Sequence, residues 1–101
     1  MAGWKYRLES GKALRQAIDM EDYEKVVEGL RCLYREIHKV VPEMYDEDDL
    51  QNTMDDLDML EGTVYGYQEE DVDEDELVEE IDYALGEVYD LCDTYRLWVE
   101  V

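Results

Sequence analysis

From Tyr23 to Val41 the apolar residues return every three or four positions, as Tyr23, Val26, Val27, Leu30, Leu33, Tyr34, Ile37 and Val41. That is the period of a helix with one buried face, and Pro42 ends it because proline has no N–H to continue the ladder. A second stripe, Leu77, Ile81, Ala84, Leu85, Val88, Cys92 and Tyr95, predicts an equally long helix opened by a capping box of Asp73 and Glu76. Between them Leu50, Met54, Leu57 and Leu60 mark a helix with Asp46 as N-cap, and Gly62 is placed to stop it. The segment Thr63 to Glu70 reads as a loop holding Tyr65 and Tyr67 around Gly66. Ahead of the first stripe, Ser10 or Gly11 begins a short helix with Leu14, Ala17 and Ile18 on its face, and Asp19 is the expected N-cap of the next.

The two ends have a different period. Trp4, Tyr6 and Leu8 alternate with Lys5, Arg7 and Glu9, and Leu97, Val99 and Val101 alternate with Trp98 and Glu100. A period of two is that of a half-buried strand, so the termini can pair as a short ribbon. The expected fold is all-α: one domain spanning residues 1–101, a small four-helix bundle closed by that two-stranded ribbon. The two longest stripes, those of the second and fourth helices, are expected to pack on each other.

Charge changes this picture most. The chain carries 30 acidic and nine basic residues, a formal net charge of −21, and the stretch Val40 to Tyr95 holds 22 of the acids with no lysine or arginine. Met1 to Lys39, with eight basic and seven acidic residues, is near neutral. Self-repulsion on this scale costs stability in the folded state. Yet 46% of the residues are hydrophobic and only one is proline, which separates the chain from disordered acidic tails and places the acids on an ordered surface. Asp48, Asp49, Asp55, Asp56 and Asp58 crowd the third helix, and Glu79, Glu80, Glu87 and Asp90 the outer side of the fourth, beside Tyr83. Tyrosine among carboxylates suits a protein interface, so these residues, with Tyr65 and Tyr67, are the candidate partner-binding set.

Other chemistry finds little support. Asp71, Asp73 and Asp75 alternate like the start of a calcium-binding loop, but Glu76 stands where that loop needs glycine. The single histidine, His38, sits between Ile37 and Lys39 on the expected solvent side, and no Gly-rich phosphate loop, nucleophile–base pair or Glu-x-x-His motif occurs. The sequence therefore reads as a non-enzyme without cofactor or metal. Cys32 and Cys92, 60 positions apart, read as two buried thiols in a reducing compartment. The N-terminus lacks the apolar core of a signal peptide and no long apolar run is present, so the expectation is a cytoplasmic protein, in the host cytoplasm if a phage encodes it. Nucleic acid and anionic membrane share the sign of the surface and are excluded as direct ligands.

A basic protein surface is the partner the charge implies. In charge, size and helical character the segment Val40 to Tyr95 resembles the DNA-mimic proteins of phages and mobile elements, small acidic inhibitors of restriction enzymes or CRISPR effector nucleases. The resemblance implies a protein that occupies the nucleic-acid-binding surface of a defence nuclease. A second reading is an acidic helical module that forms a homodimer or docks on a phage or host protein without competing with nucleic acid. In a third, the charge serves solubility alone, which predicts an even distribution that the near-neutral N-terminal third does not have.

Overall fold

In a computed structural model, residues 5–100 are described. The order is β1 (Tyr6–Arg7), α1 (Gly11–Asp19), α2 (Tyr23–Val40), α3 (Glu47–Gln68), α4 (Glu74–Tyr95) and β2 (Leu97–Trp98). The expected four-helix architecture is what the chain adopts. The ribbon also forms, as a parallel pair with Tyr6 opposite Leu97 and Arg7 opposite Trp98, extended by Lys5 N–H to the Arg96 carbonyl at 2.7 Å and Leu8 N–H to the Trp98 carbonyl at 2.8 Å. The strand positions predicted at Trp4 and Val101 lie outside the described residues.

One core serves all the elements. Leu14 and Ala17 of α1, the α2 stripe, Leu57, Leu60 and Val64 of α3, Leu77, Ile81, Val88 and Cys92 of α4, and Leu97 of β2 are buried together. Among the described residues no polar or charged side chain is buried with them. α2 is central: it and α4 share this core, as expected, but the closest backbone approaches of α2 are to α1 and α3, and those of α4 are to α3 and β2. Gly29 is what lets α1 come so near, since a Cβ there would stand 3.2 Å from the Leu14 Cα. Gly11 does the same for the C-terminal segment, where a Cβ would lie 2.8 Å from the Glu100 carbonyl oxygen.

Three boundary predictions are also corrected. Asp19 closes α1 instead of capping α2; Asp22 is the N-cap, its carboxylate accepting from Lys25 N–H at 3.4 Å. The turn between them satisfies the last α1 carbonyls through Glu21 N–H to Ile18 and Asp22 N–H to Ala17. Asp73 is the N-cap of α4 but makes no side-chain capping bond, so the expected box with Glu76 does not form. Gly62 does not stop α3, which runs on to Gln68 and carries Tyr65 and Tyr67 in its last turns. The reason is apolar continuity: Leu57, Leu60, Val64 and Tyr67 keep the spacing of three and four, and Val64 is buried. Burial there outweighs the roughly 1 kcal/mol that a mid-helix glycine costs. Termination comes at Glu70, with φ of 64°, where Glu70 N–H reaches Tyr67 and Asp71 N–H reaches Gly66.

The α2–α3 connection is tied from two sides. His38, expected at the surface, is half-buried, and its Nδ1 donates to the Tyr45 carbonyl at 2.8 Å. Tyr95 donates to the Met44 carbonyl at 3.1 Å. The carboxylate of Glu36 accepts from the backbone N–H groups of Glu9 and Ser10, both at 3.0 Å, and so fixes the start of α1 to α2. Of the two cysteines, both free, Cys92 is buried as expected but Cys32 is exposed, because position 32 falls on the solvent side of α2 between the buried pairs Leu30 and Leu33.

Candidate functional site: an acidic groove between two helices

The helices α3 and α4 have 22 residues each and are joined by residues 69–73. At 1.5 Å per residue each is about 33 Å long. Together they carry sixteen carboxylates and no lysine or arginine. Among the described residues only two of these sixteen enter an ion pair: Asp58 and Glu61, held by Arg31 of α2 at 2.6 and 2.9 Å. The hydrogen bond that Arg31 donates to Glu61, with the one it donates to Asp58, raises its pKa against the opposing effect of its partial burial. The remaining ion pairs, Arg7 with Glu100, Arg15 with Asp19 and Lys25 with Asp22, lie outside these two helices.

The two helices enclose a groove of about 700 Å³. Its α4 wall is a single face, because Glu76, Glu80, Tyr83 and Glu87 are spaced by four, three and four residues. Glu79 stands beside them, and Asp56 with Met59 forms the lip on α3. The floor is apolar, made by Leu57, Leu60 and Ala84 with the ring of Tyr34 from α2. Tyr83 and Met59 stand up from the lips, 72% and 75% exposed. Burial first, and then the charges of Glu87 and other neighbours, push the Tyr34 hydroxyl well above the ordinary phenol range. The floor is thus a neutral surface under an anionic rim. Tyr34 is held by stacking on Tyr45, ring centroids 6.2 Å apart, and the Tyr45 hydroxyl is hydrogen-bonded to Thr53 at the end of the groove.

The predicted partner-binding residues divide by position. Asp56, Glu79, Glu80, Tyr83 and Glu87 line the groove. Asp48 and Asp49 are exposed in the first turn of α3, where the helix dipole favours negative charge, and Asp55, on the outer side, accepts from Gln51 at 3.2 Å. Asp90 is exposed on α4 beyond the groove. Asp58 is drawn toward α2 by Arg31. Tyr65 is 52% exposed, on helix instead of loop. Tyr67 is half-buried, its ring edge-on to Tyr23 at 5.4 Å and its hydroxyl donating to Glu74 at 2.8 Å. That hydrogen bond is the main cause of its raised pKa. Tyr67 therefore ties α3 to α2 and to the start of α4.

Glu76, Met59 and Tyr34 are groove residues that the sequence reading assigned elsewhere or passed over. The series Glu76, Glu80, Tyr83, Glu87 carried the signal for the first of them. Met59 had none, because its position depends on where α4 lies across from it. Among the described residues, no three His, Cys, Asp or Glu side chains are grouped to hold a metal ion, and no helix is long and apolar enough to cross a membrane.

Fold and site together describe an all-α bundle that presents an anionic, apolar-floored groove. Comparison with protein-family models, with curated proteins and with solved structures finds no match for this chain.

Proposed function

We propose that the protein is a non-enzymatic binding protein whose α3–α4 hairpin occupies the basic nucleic-acid-binding surface of another protein, acting as a DNA mimic. The observation that carries this reading is the sixteen carboxylates on two rigid helices, fourteen of them outside any ion pair among the described residues. Unpaired carboxylates repel one another and cost stability, which a basic partner recovers on binding. The dimensions agree: helices of about 33 Å match one turn of duplex, about 34 Å. The near-neutral α1–α2 pair supplies the scaffold, and its Arg31 fixes the hairpin from behind. The partner is a nucleic-acid enzyme, and a phage or bacterial defence nuclease is the target class to examine first.

The test is capture of partners from bacterial lysate on the immobilised protein, with elution by rising salt or by duplex DNA. Recovery of a nucleic-acid enzyme that DNA releases supports the mimic. A partner indifferent to DNA moves the reading to an acidic helical interaction module. That second reading has its own supporting observation, the exposed Met59 and Tyr83 at the groove lips, which have no counterpart in a phosphate backbone.

A further inference from the structure

We propose that the α3–α4 groove seats a basic amphipathic helix of the partner protein; the proposal rests on the binding function above and names the element that reaches the hairpin. A surface that only imitated phosphates would need charge and nothing else. Here the carboxylates surround a trough closed below by the buried Leu57 and Leu60, and its accessible apolar surface is Ala84 with Met59 and Tyr83 on the two lips. A volume of about 700 Å³ falls within the range of about 300–1,000 Å³ typical of sites that enclose a ligand-sized group. This is room for the side chains along one face of a helix, the mode in which an amphipathic helix lies in a groove.

Complementarity selects the occupant's chemistry. Five carboxylates, from Asp56 and the α4 glutamates at 76, 79, 80 and 87, rim the trough, with no lysine or arginine lining it. An acidic or neutral helix would add repulsion or leave that rim uncompensated. Lysine or arginine flanking an apolar stripe meets both surfaces at once: the stripe enters the trough, the aliphatic stems cover its edges and the charged heads reach the rim. Tyr83 offers its ring face to such a cation, and Met59 is unbranched and adapts to the side chain it meets. A flat basic surface would satisfy the rim and leave the exposed Met59 and Tyr83 on the lips, and the partly buried Ala84 between them, uncovered.

The probe is a synthetic helix of about 14 residues, leucine at positions i, i+3, i+4 and i+7 and lysine elsewhere. Its control is an oligolysine of the same net charge. Calorimetry measures affinity and amide chemical shifts locate the contact on the full chain. The Leu/Lys helix should bind about tenfold tighter or more than oligolysine, since two or three apolar side chains leave water on the floor. Its shifts should centre on Leu57, Leu60 and Ala84. Ala84→Trp, which fills the trough without changing charge, should reduce that affinity to the oligolysine level and leave oligolysine unaffected. Tyr83→Lys, at an exposed position that folding does not depend on, should weaken both peptides and serves if Ala84→Trp fails to fold. Equal affinity of the two peptides, insensitivity to both variants, shifts outside the groove, or self-association of the chain through this face would overturn the proposal. Failure of the two proposals is distinguishable. A captured target released by DNA but bound equally by Ala84→Trp removes the groove and keeps the mimic. A target lost by Ala84→Trp yet indifferent to DNA does the reverse.

Discussion

Among the described residues, Arg31 is the one cation paired with the acidic hairpin, and the two carboxylates it holds sit where α2 meets α3. Its side chain is 19% exposed, so solvent screens this pair of bonds less than it screens the chain's outer ion pairs. Arg31→Ala leaves Asp58 and Glu61 facing each other without compensation and should cost about 1 kcal/mol, or about 5 °C in Tm for a domain of this size. Arg31→Lys should recover only part of that, because one ammonium cannot reproduce the two-armed contact. An unchanged Tm in both would show that the hairpin needs no anchor.

Titration of Cys92 gives a second test at this scale. Burial, followed by the charge of Asp93, pushes its thiol from 9.0 to about 11. The folded chain keeps the proton that the unfolded chain releases, so this stabilisation is complete below pH 9 and lost as pH rises from 9 to 11. The loss should be on the order of 2 kcal/mol. In denaturant titrations across that window Cys92→Ala should show a shallower decline than the wild type, and parallel curves would contradict the burial of this thiol. Exposed Cys32 should react with a thiol reagent in the native protein, Cys92 only after unfolding.

At the scale of elements, α3 is where sequence and structure diverge. Its capping aspartate, its first turns and the apolar stripes of α2 and α4 were legible from their helical spacing, whereas the cap of α2 and the box expected at α4 were not. The end was not. Gly62 gave a stop signal that the continuing burial of Val64 overrode, and the true terminator, Glu70, adopts a left-handed conformation that nothing in its side chain announces. The paired exchange Gly62→Ala and Glu70→Gly tests this. Gly62 is helical with no atom within 4 Å of an added Cβ, so alanine should stabilise by about 0.5–1 kcal/mol. Glycine at position 70 relieves the positive φ and removes a negative charge, with a gain of similar size. Destabilisation by Gly62→Ala would mean that α3 ends there, as the sequence alone suggested.

The groove was legible only in halves. Asp56, Glu79, Glu80, Tyr83 and Glu87 could be named from charge and spacing, but nothing along the chain says that the first of these faces the others. That juxtaposition depends on α4 making its closest backbone approaches to α3 and β2, and the choice is made by the three-dimensional fit of buried faces that are all apolar. Tyr67 shows a contact that sequence neighbours do not announce. Its surroundings in sequence suggested a partner-binding residue, and the fold adds an edge-on contact of its ring with Tyr23 and a hydrogen bond to Glu74.

For the whole molecule, shape and charge act together. The chain is a slab of 44 × 28 × 16 Å, longer than one turn of duplex, with its net charge of −21 concentrated in the α3–α4 half. Repulsion within that half is screened as the Debye length falls from about 10 Å at 0.1 M salt to about 3 Å at 1 M. Tm should therefore rise with sodium chloride over this range, by about 5 °C or more. A Tm that falls or stays level would show that repulsion among these carboxylates does not limit stability. Binding to a basic partner should have the opposite dependence and weaken over the same range, since the same screening removes the attraction.

The most direct test of the central claim is displacement of a labelled duplex from the captured nucleic-acid enzyme, followed by fluorescence anisotropy as the protein is titrated at low and at high salt. The wild type should release the duplex at low salt and lose that ability as salt rises. Asp55→Lys combined with Glu80→Lys, which reverses charge on both helices and relieves repulsion, should fold at least as stably and displace far less DNA at low salt. Simultaneous binding of the protein and the duplex, or equal displacement by wild type and variant at every salt concentration, would contradict the account.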